Sequence, residues 1–400
     1  MEKGLDLRDA TRKFLNAPVD KRQNVFEFVA HKTGVSPQSI EKDWWVTLFL
    51  RIIYSMPYAS NIQFKGGTSL SKCWHVINRF SEDIDLAINR DFLGFSGDLS
   101  KNQISDKLRR ASKSFLKETF IPEFTERVAN LLSPNIKVSI SNNDNNIPTQ
   151  DPLQIYVDYP SAYRGEHYIV PRVVLEISGR SNNIALKQGN INSIIETYLG
   201  EKFALTLPPL PLTVVSPERT LIEKICLLHE EFNKDKGEIR FHRMSRHLYD
   251  IHMLCHKGYA NLILNNENLF SAIIHHRFMY NRIDGVDYNT ETPGGFNILP
   301  PTHIFEKYVR DYREMETTMI YGNNIPSFGE IITTIRQLNM ALNSMEWKQK
   351  YEFNPGHVET PEEKRTSLLK KNNKAITSLY ESFTSQNIEP KPKRKGGLKL

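Results

Sequence analysis

The chain has 400 residues, of which 39% are hydrophobic and 24% charged, and these proportions exclude a disordered or fibrous protein. Lys and Arg outnumber Asp and Glu by 52 to 46, so the formal net charge of +6 permits nucleic-acid contact without requiring it. The 3 cysteines are too few for a disulfide framework, and no window is apolar enough for a membrane span or secretory signal. We therefore expect a cytoplasmic protein with reduced thiols and no membrane partner.

The first 60 residues are predicted to be helical. VFEFVAHKTGV has a helical pattern that stops at a glycine, and SIEKDWWVTLFLRIIYSM has a helical apolar stripe behind the start signal Ser36-Pro37. Trp44 and Trp45 lie on this stripe, and Tyr308 and Tyr312 lie on a similar one near the other end of the chain. These aromatic pairs are expected to pack in cores.

Short strands separated by turns are predicted from Asn61 onward. NIQFKGG indicates a strand and a turn, TSLSKCWHVINRF a helix, and EDIDLAI a buried strand. After a charged helical segment between Ser105 and Leu132, KVSIS, LQIYVDYP and RVVLEIS alternate as strands do. The run NNDNNIP between them is expected to be a solvated loop, and the strands are expected to form one mixed sheet.

A proline-rich stretch, LTLPPLPLTVVSPE, cannot continue a helix and is the predicted domain boundary. Helices follow it: ERTLIEKICLLHEEF opens at Ser216-Pro217, MSRHLYDIHMLCHKG ends at Gly258, and FEKYVRDYREMETTMI and FGEIITTIRQLNMALNSM come later. We expect four regions: an N-terminal helical segment (1–60), a mixed-sheet core (61–207), a C-terminal helical domain (213–385) and a basic disordered tail (386–400).

The segment FKGGTSLSKCWHVINRFSEDIDLAI, residues 64–88, carries the clearest signs of chemistry. Gly66 and Gly67 let the backbone turn tightly from a strand into a helix, whose free N–H groups attract phosphate. The turn is neither a P-loop nor a dinucleotide fingerprint, because it lacks the glycine spacing of both motifs. Asp83 and Asp85 alternate along the next strand, so both carboxylates project from one face and suit a divalent cation such as Mg²⁺.

A third carboxylate would complete a two-metal site, and Glu176 is the candidate. It lies mid-strand in RVVLEIS, where an unpaired carboxylate is costly to bury. Each motif also has a plain structural interpretation, since D-x-D is commonly a solvated strand edge and Gly-Gly is commonly only a turn. Their order, strand, turn, helix and strand, favours phosphate chemistry.

These motifs resemble those of a known family. GGTSLSK followed by RFSEDIDL is similar to the first motif of the nucleotidyltransferase superfamily. With EKDWWVT before it and ERTLIEKICLLHEE, RHLYDIHML and DYREMETTMIYGNNIPSFGEI after it, the sequence resembles the AbiEii/AbiGii toxin family of abortive-infection systems over roughly residues 38–343. The resemblance implies an α+β fold: a nucleotidyltransferase-like mixed β-sheet core with N-terminal helices and a C-terminal helical domain, and an active site in the cleft between core and helices.

The resemblance also implies residue roles. Asp83, Asp85 and Glu176 would coordinate Mg²⁺ and act in catalysis, with Lys224 and Asp250 as further catalytic residues facing each other. The nucleotide would be bound by the residues that open the predicted helix and by two lysines: Gly66, Gly67, Thr68, Ser69, Lys72 and Lys224.

On the residues alone, Lys224 has a plain alternative, because it can pair with Glu223 or Glu218 on a solvated helix. Arg246 and Asp250 are four residues apart and can simply form a helix salt bridge.

The resemblance implies Mg²⁺-dependent transfer of a nucleotide from an NTP to an acceptor by the toxin of a bacterial toxin–antitoxin and phage-defence pair. RNA, in some relatives the tRNA 3′ end, would be the acceptor, and a cognate antitoxin would be a partner. Two alternatives stay open: a kinase-like phosphotransferase with the same metal site, and a noncatalytic protein that binds nucleotide or antitoxin. The NTP, the acceptor and the oligomeric state are not determined by the sequence.

Two further patterns have weaker interpretations. Cys226-x-x-His229 and His252-x-x-Cys255 have the residue types of a zinc site, but both pairs lie in helices where such residues commonly pack in a core. The run HHR at 275–277 is expected in an exposed turn, where it can contact RNA.

Overall fold

The structure is a computed structural model that describes residues 9–81, 83–141, 150–163, 170–180, 182–200, 210–283, 285–322 and 324–348. The predicted loop NNDNNIP and the predicted tail 386–400 lie outside these residues. The α-helices are α1 (Asp9–Leu15), α2 (Val19–Thr33), α3 (Pro37–Ile53), α4 (Gly66–Lys72), α5 (Arg109–Phe115), α6 (Ile121–Leu131), α7 (Ile194–Leu199), α8 (Pro217–Phe232), α9 (Ser245–His256), α10 (Tyr259–Leu264), α11 (Glu267–Asn281), α12 (Phe305–Thr318) and α13 (Phe328–Asn343).

The strands of the described residues form one seven-stranded mixed sheet in the order β3-β4-β5-β2-β1-β7-β6. Their bounds are β1 (Ile62–Lys65), β2 (Asp83–Ile88), β3 (Lys137–Ile140), β4 (Leu153–Asp158), β5 (Arg172–Ser178), β6 (Leu186–Ile191) and β7 (Leu210–Val215). At the centre, β2 pairs with β1 antiparallel and with β5 parallel. The mixed sheet expected from the alternating segments is confirmed.

The two faces of this sheet differ. In β2, β4 and β5 every second side chain is fully buried, among them Ile84, Ile155 and Leu175. These apolar residues share one hydrophobic core with the N-terminal helices, where Trp44 and Trp45 of α3 pack as expected. The side chains between them face the other way, so the acidic residues of β2 and β5 lie on the opposite face of the sheet from this core.

A second hydrophobic core joins the C-terminal helices α8 to α13 and includes Tyr308 and Tyr312. Leu70, Val76 and Ile77, which follow the Gly-Gly turn, also belong to this second core. The segment that carries the predicted chemistry is therefore packed between the sheet and the C-terminal helices.

Several expected helix ends are found where the sequence indicates them. Ser36 and Ser216 are N-caps whose side chains accept a hydrogen bond from the third residue on, and Gly34 ends α2 with φ 75°. No helix within the described ranges is long and apolar enough to span a membrane.

Two local predictions are wrong. The helix predicted over TSLSKCWHVINRF begins at Gly66 and already ends at Lys72. The end of the predicted segment, residues 78–80, pairs with residues 319–321 instead. Phe80 N donates to Met319 O, and Tyr321 N donates to Asn78 O. The proline-rich stretch includes strand β7, which pairs with β1 and β6, so the sheet continues past residue 207.

Candidate active site

Three carboxylates lie on two neighbouring strands at the polar face of the sheet. Asp85 of β2 is the register partner of Glu176 in β5, and Asp83, two residues earlier, projects from the same face as Asp85. On the other side of β2, Lys65 at the end of β1 is the register partner of Asp85. Neighbouring strands lie about 4.8 Å apart, so the register brings Lys65, Asp85 and Glu176 into a single row across the sheet, and Asp83 lies next to this row, two residues back along β2.

The electrostatics of Asp85 reflect this crowding. Burial raises the pKa of Asp85 to about 6; the charge of Lys65 opposes the rise, while Glu176 and Asp83 add to it. Like charges this close disfavour ionisation of one another. A cation bound among them would relieve that repulsion.

The donor set suits Mg²⁺, which prefers hard carboxylate oxygens. Within the described part of the chain, no three His, Cys, Asp or Glu side chains stand together as a ready-made metal site. Glu176 Oε1 accepts a hydrogen bond from Gln154 Nε2 at 2.7 Å, and Gln154 is its register partner on β4. Asp83, Asp85 and Glu176 are the side chains of this face that would have to hold a divalent cation, and Glu176 is hydrogen-bonded to Gln154.

The Gly-Gly turn packs directly against this row. Gly66 has φ 77°, and a Cβ at this position would lie 1.9 Å from Asp85 Oδ2. A Cβ at Gly67 would lie 2.7 Å from Arg79 Nη2. Both glycines are thus required by close approach, the first to a carboxylate and the second to a guanidinium.

Thr68 and Ser69 hold this turn in place. Thr68 Oγ1 donates to the carbonyl oxygen of Asp83 and lies 2.9 Å from Ser81 Oγ, and Ser69 Oγ donates to Gly66 O at 2.8 Å. Both side chains are fully buried. Their hydroxyls fasten α4 to the start of β2, which leaves backbone N–H groups as the means by which this turn can contact a phosphate.

Lys72 lies in a buried ion pair between α4 and α3. Its Nζ is 2.5 Å from Asp43 Oδ1 and 2.8 Å from Thr47 Oγ1, while Asp43 Oδ2 accepts from Ile194 N at 2.7 Å. The ammonium that sequence resemblance assigned to the nucleotide is therefore already neutralised by Asp43. This ion pair links the Gly-Gly segment to the N-terminal helices.

Asp250 of α9 is the centre of a second charged group. It is fully buried and accepts hydrogen bonds from Arg79 Nε at 2.7 Å and Arg79 Nη2 at 2.8 Å, and Lys224 Nζ lies 2.8 Å from its Oδ2. Burial alone would raise the pKa of Asp250, but the charges of Arg79 and Lys224 outweigh it and hold that pKa below its ordinary value. The structure thus brings Lys224 and Asp250 together, with two cations for one carboxylate.

The structure does not contain the simple helix ion pairs that the sequence also allowed for Lys224 and Asp250. Glu223 pairs with Arg219 at 2.7 Å and Glu218 pairs with Lys187 at 2.7 Å, so neither is the partner of Lys224. Asp250 is bridged by Arg79 and Lys224 instead of by Arg246 on its own helix.

Sequence reasoning missed Lys65 and Arg79. Lys65 directly precedes Gly66, and Arg79 begins the RFSEDIDL string, so both lie within the segment of residues 64–88 that carries the predicted site. The only available signal was their position next to the glycines and the aspartates. Their roles depend on the pairing of β1 with β2 and on the contact between residue 79 and α9, which no local pattern reports.

The weaker sequence patterns have structural explanations. His229 Nδ1 accepts from Asn297 N at 2.9 Å and its Nε2 lies 2.9 Å from Thr290 Oγ1, so both ring nitrogens are used inside the C-terminal core. Residues 275–277 lie in α11, and Arg277 is paired with buried Glu230, so the expected exposed turn is wrong.

A mixed sheet with two aspartates on one strand and a Gly-Gly turn against them is the arrangement that the sequence resemblance led us to expect of a nucleotidyltransferase. The sequence over residues 48–334 matches the family described as nucleotidyl transferase AbiEii toxin, type IV toxin–antitoxin system. This match covers more than half of the chain. The chain belongs to the AbiEii family and is a nucleotidyltransferase toxin.

Solved structures with a similar course of the chain include two bacterial proteins. MenT4, a nucleotidyltransferase toxin from Mycobacterium tuberculosis, is 16% identical, with a TM-score of 0.48 over 86% of this chain and 98% of that one. JHP933 from Helicobacter pylori is 15% identical, with a TM-score of 0.37 over 86% of this chain and 99% of that one. A comparison with curated protein sequences finds no match.

Proposed function

We propose that this toxin catalyses Mg²⁺-dependent transfer of a nucleoside monophosphate from an NTP to the 3′ end of an RNA acceptor, possible acceptors including tRNA. The observation that supports this most strongly is the register of β2 with β5, which aligns Asp85 with Glu176 beside Asp83. A cognate antitoxin is the partner that a type IV toxin–antitoxin system implies.

In this proposal Asp83, Asp85 and Glu176 hold the metal, which when bound would neutralise charge on the reacting phosphate and acidify the attacking hydroxyl. Backbone N–H groups at Gly66 and Gly67 bind phosphate oxygens of the NTP. Because Gly66 packs against Asp85, a cation held by these carboxylates would lie beside the turn.

The group around Asp250 supplies positive charge for the leaving pyrophosphate. Arg79 and Lys224 carry two positive charges against the single negative charge of Asp250, so the group keeps an excess of one. Arg79 and Asp250 are buried, and Lys224 is the least buried of the three side chains. We assign Lys224 to direct phosphate contact, and Asp250 and Arg79 to holding it in position.

The direct test is incubation of the protein with total bacterial RNA, Mg²⁺ and each NTP labelled at the α-phosphorus, with parallel reactions labelled at the γ-phosphorus. Label from the α-position in RNA, lost in Asp83→Asn, supports the proposal. Label from the γ-position alone would identify the kinase-like alternative, and no label from either would contradict RNA as acceptor.

Growth inhibition tests the toxin role through the same site. Expression of the wild-type chain in bacteria is expected to arrest growth, and expression of Asp83→Asn is not. Undiminished arrest by the variant would show that toxicity does not depend on nucleotidyl transfer and would favour the noncatalytic alternative.

A further inference from the structure

One lysine of the candidate active site belongs neither to the proposed metal ligands nor to the group around Asp250. Lys65 is the last residue of β1 and directly precedes Gly66. Phe64, the residue before it, is fully buried in the core shared with the N-terminal helices, so Lys65 projects from the opposite, polar face of the sheet. On that face its register partner is Asp85. Lys65 therefore lies between the Gly-Gly turn and the carboxylates of β2.

The ammonium of Lys65 has charged neighbours but no bond to any of them. Within the part of the chain that the structure describes, no carboxylate oxygen lies within 4.0 Å of its Nζ, and the residue is only half-buried. Asp85 across the strand pair and Glu223 on α8 are both within electrostatic range of it. Glu223 is already bonded to Arg219 at 2.7 Å. An ammonium placed between two carboxylates and bonded to neither is available to an anionic ligand.

Lys72 and Lys224, by contrast, are held in ion pairs. Lys72 Nζ lies 2.5 Å from Asp43 Oδ1, and Lys224 Nζ lies 2.8 Å from Asp250 Oδ2. Both of these lysines are buried, whereas Lys65 is half-buried. Lys65 therefore has no ion pair to share or give up when it contacts a phosphate oxygen.

The position of Lys65 selects one phosphate of the NTP. Its neighbour Gly66 packs against Asp85, since a Cβ at residue 66 would lie 1.9 Å from Asp85 Oδ2. Lys224 belongs to the group around Asp250, which is assigned to the leaving pyrophosphate. The α-phosphate reacts beside the carboxylates of β2 in the proposed function, and Lys65 stands directly opposite one of them. The α-phosphate is therefore the phosphate that Lys65 is placed to contact.

We propose that Lys65 is a further catalytic residue, whose ammonium contacts a non-bridging oxygen of the α-phosphate of the NTP. The inference rests on the proposed function, because it names a residue that binds the phosphate transferred in that reaction. The acceptor oxygen forms a bond to the α-phosphorus, the bond from this phosphorus to the pyrophosphate oxygen breaks, and the proton of the attacking hydroxyl passes to water. The transition state spreads charge over the oxygens of this phosphate, and a fixed ammonium beside them stabilises it.

The test compares α-label transfer from an ordinary NTP and from its two α-thio diastereomers, in each of which sulfur replaces one non-bridging oxygen. With the wild-type protein, sulfur at the position that contacts Lys65 is expected to slow transfer about tenfold, because sulfur is the weaker acceptor. Lys65→Met is expected to lower kcat with the ordinary NTP about a hundredfold. The variant should use that diastereomer at nearly the same rate as the ordinary NTP, and the effect of sulfur at the other position should be unchanged.

Lys187→Met is the matched control. Lys187 lies on β6 of the same sheet and pairs with Glu218 at 2.7 Å, so this variant is expected to keep the wild-type rates with all three donors. Lys65→Arg keeps the positive charge and is expected to recover part of the rate that Lys65→Met loses. Thermal unfolding measured on each variant is expected to show that the fold is retained, because the ammonium of Lys65 takes part in no ion pair.

A wild-type rate in Lys65→Met would overturn the inference, as would a loss that leaves both effects of sulfur unchanged or an equal loss in Lys187→Met. A Lys65→Met chain that does not fold would also overturn it, because Lys65 would then be required by the structure. Failure of the proposed function is recognised separately in the wild-type protein. If the wild type transfers no α-label from the ordinary NTP, the proposed function fails and the inference fails with it.

Discussion

Two acidic centres lie on either side of the Gly-Gly turn, one half-buried and one fully buried, and their charged neighbours differ. Burial raises the pKa of Asp85 to about 6, and the neighbouring charges of Glu176 and Asp83 add to the rise, while Lys65 and Lys224 oppose it. Asp250 is surrounded by Arg79 and Lys224, and its pKa is held below the ordinary value. The first carboxylate has two carboxylates among its charged neighbours, while the second is bonded to two cations.

The comparison teaches which acidic residue is available for chemistry. A bound cation stabilises carboxylates that repel one another, so we expect the carboxylates of β2 and β5 to bind one. A carboxylate that is already neutralised and shielded from solvent serves to orient its partners. Asp250, which resemblance placed among the catalytic residues, is by this argument a positioning residue.

The largest expected effect comes from the repulsive centre. Asp85→Asn removes a metal ligand and should lower the rate of α-label transfer by at least about a thousandfold. The free energy of unfolding should stay near the wild-type value or rise, because a crowded negative charge is removed. Activity and thermal unfolding of the variant measure the two expected effects. A strongly destabilised variant would contradict the assignment of Asp85 as a metal ligand.

A substitution at Asp250, in contrast, should reduce the free energy of unfolding. Asp250→Ala leaves Arg79 and Lys224 buried without their carboxylate, so we expect the free energy of unfolding to fall by about 3 to 5 kcal/mol. Urea unfolding measures this loss. A stability close to wild type would show that the ion pairs do not hold the segment after the turn to α9.

The sequence accounted for part of this arrangement. The i, i+2 spacing placed Asp83 and Asp85 on one face, and the alternation of RVVLEIS placed Glu176 on a strand. The direct pairing of β2 with β5 joins residues about 90 positions apart, and local periodicity carries no signal for it. The association of Glu176 with the aspartates was predicted from the cost of burying an unpaired carboxylate in the middle of a strand.

Lysines show the limit of sequence reasoning most clearly. Lys72 and Lys65 flank the same short helix, and only packing determines that the first pairs with Asp43 and the second lies opposite Asp85. A charged residue in a motif predicts that its side chain has an ionic partner, either another residue or a ligand. Which partner it has depends on the tertiary structure. The same holds for Arg79, whose partner is 171 residues away in sequence.

Alanine substitutions at Gly66 and Gly34 test whether the Gly-Gly turn contacts Asp85. Gly66 and Gly34 have nearly the same backbone angle, φ 77° and φ 75°, but a Cβ at residue 66 would meet Asp85 at 1.9 Å while a Cβ at residue 34 has nothing within 4 Å. Both alanine variants should lose about 1 to 2 kcal/mol of stability from backbone strain. Gly66→Ala should in addition lose most transfer activity, and equal activity of the two variants would contradict direct contact between the turn and Asp85.

A third buried carboxylate, Glu291, provides the smallest test. It is fully buried, and burial together with the charge of Glu230 raises its pKa well above the ordinary value. A raised pKa in the folded state means that protonation stabilises the fold, so stability from this group is complete below about pH 4.5 and is lost as the pH rises toward the folded pKa.

Glu291→Gln does not titrate and should therefore be more stable than wild type by about 1 to 2 kcal/mol at pH 8, with a smaller difference at pH 5. Urea unfolding at the two pH values measures this. Glu230→Gln is the contrasting variant, because it breaks the ion pair with Arg277 and should destabilise the protein at both. A destabilising Glu291→Gln at pH 8 would show that Glu291 is ionised in the fold.

The difference between the two acidic centres is tested most directly by cation binding. Mn²⁺, which shares the oxygen preference of Mg²⁺, can be titrated into the protein in the presence of a non-transferable NTP analogue, with free Mn²⁺ measured by electron paramagnetic resonance. We predict that Asp85→Asn loses Mn²⁺ binding and that Asp250→Asn, at a temperature where circular dichroism shows it folded, keeps it. Retained binding in Asp85→Asn together with loss in Asp250→Asn would contradict this account.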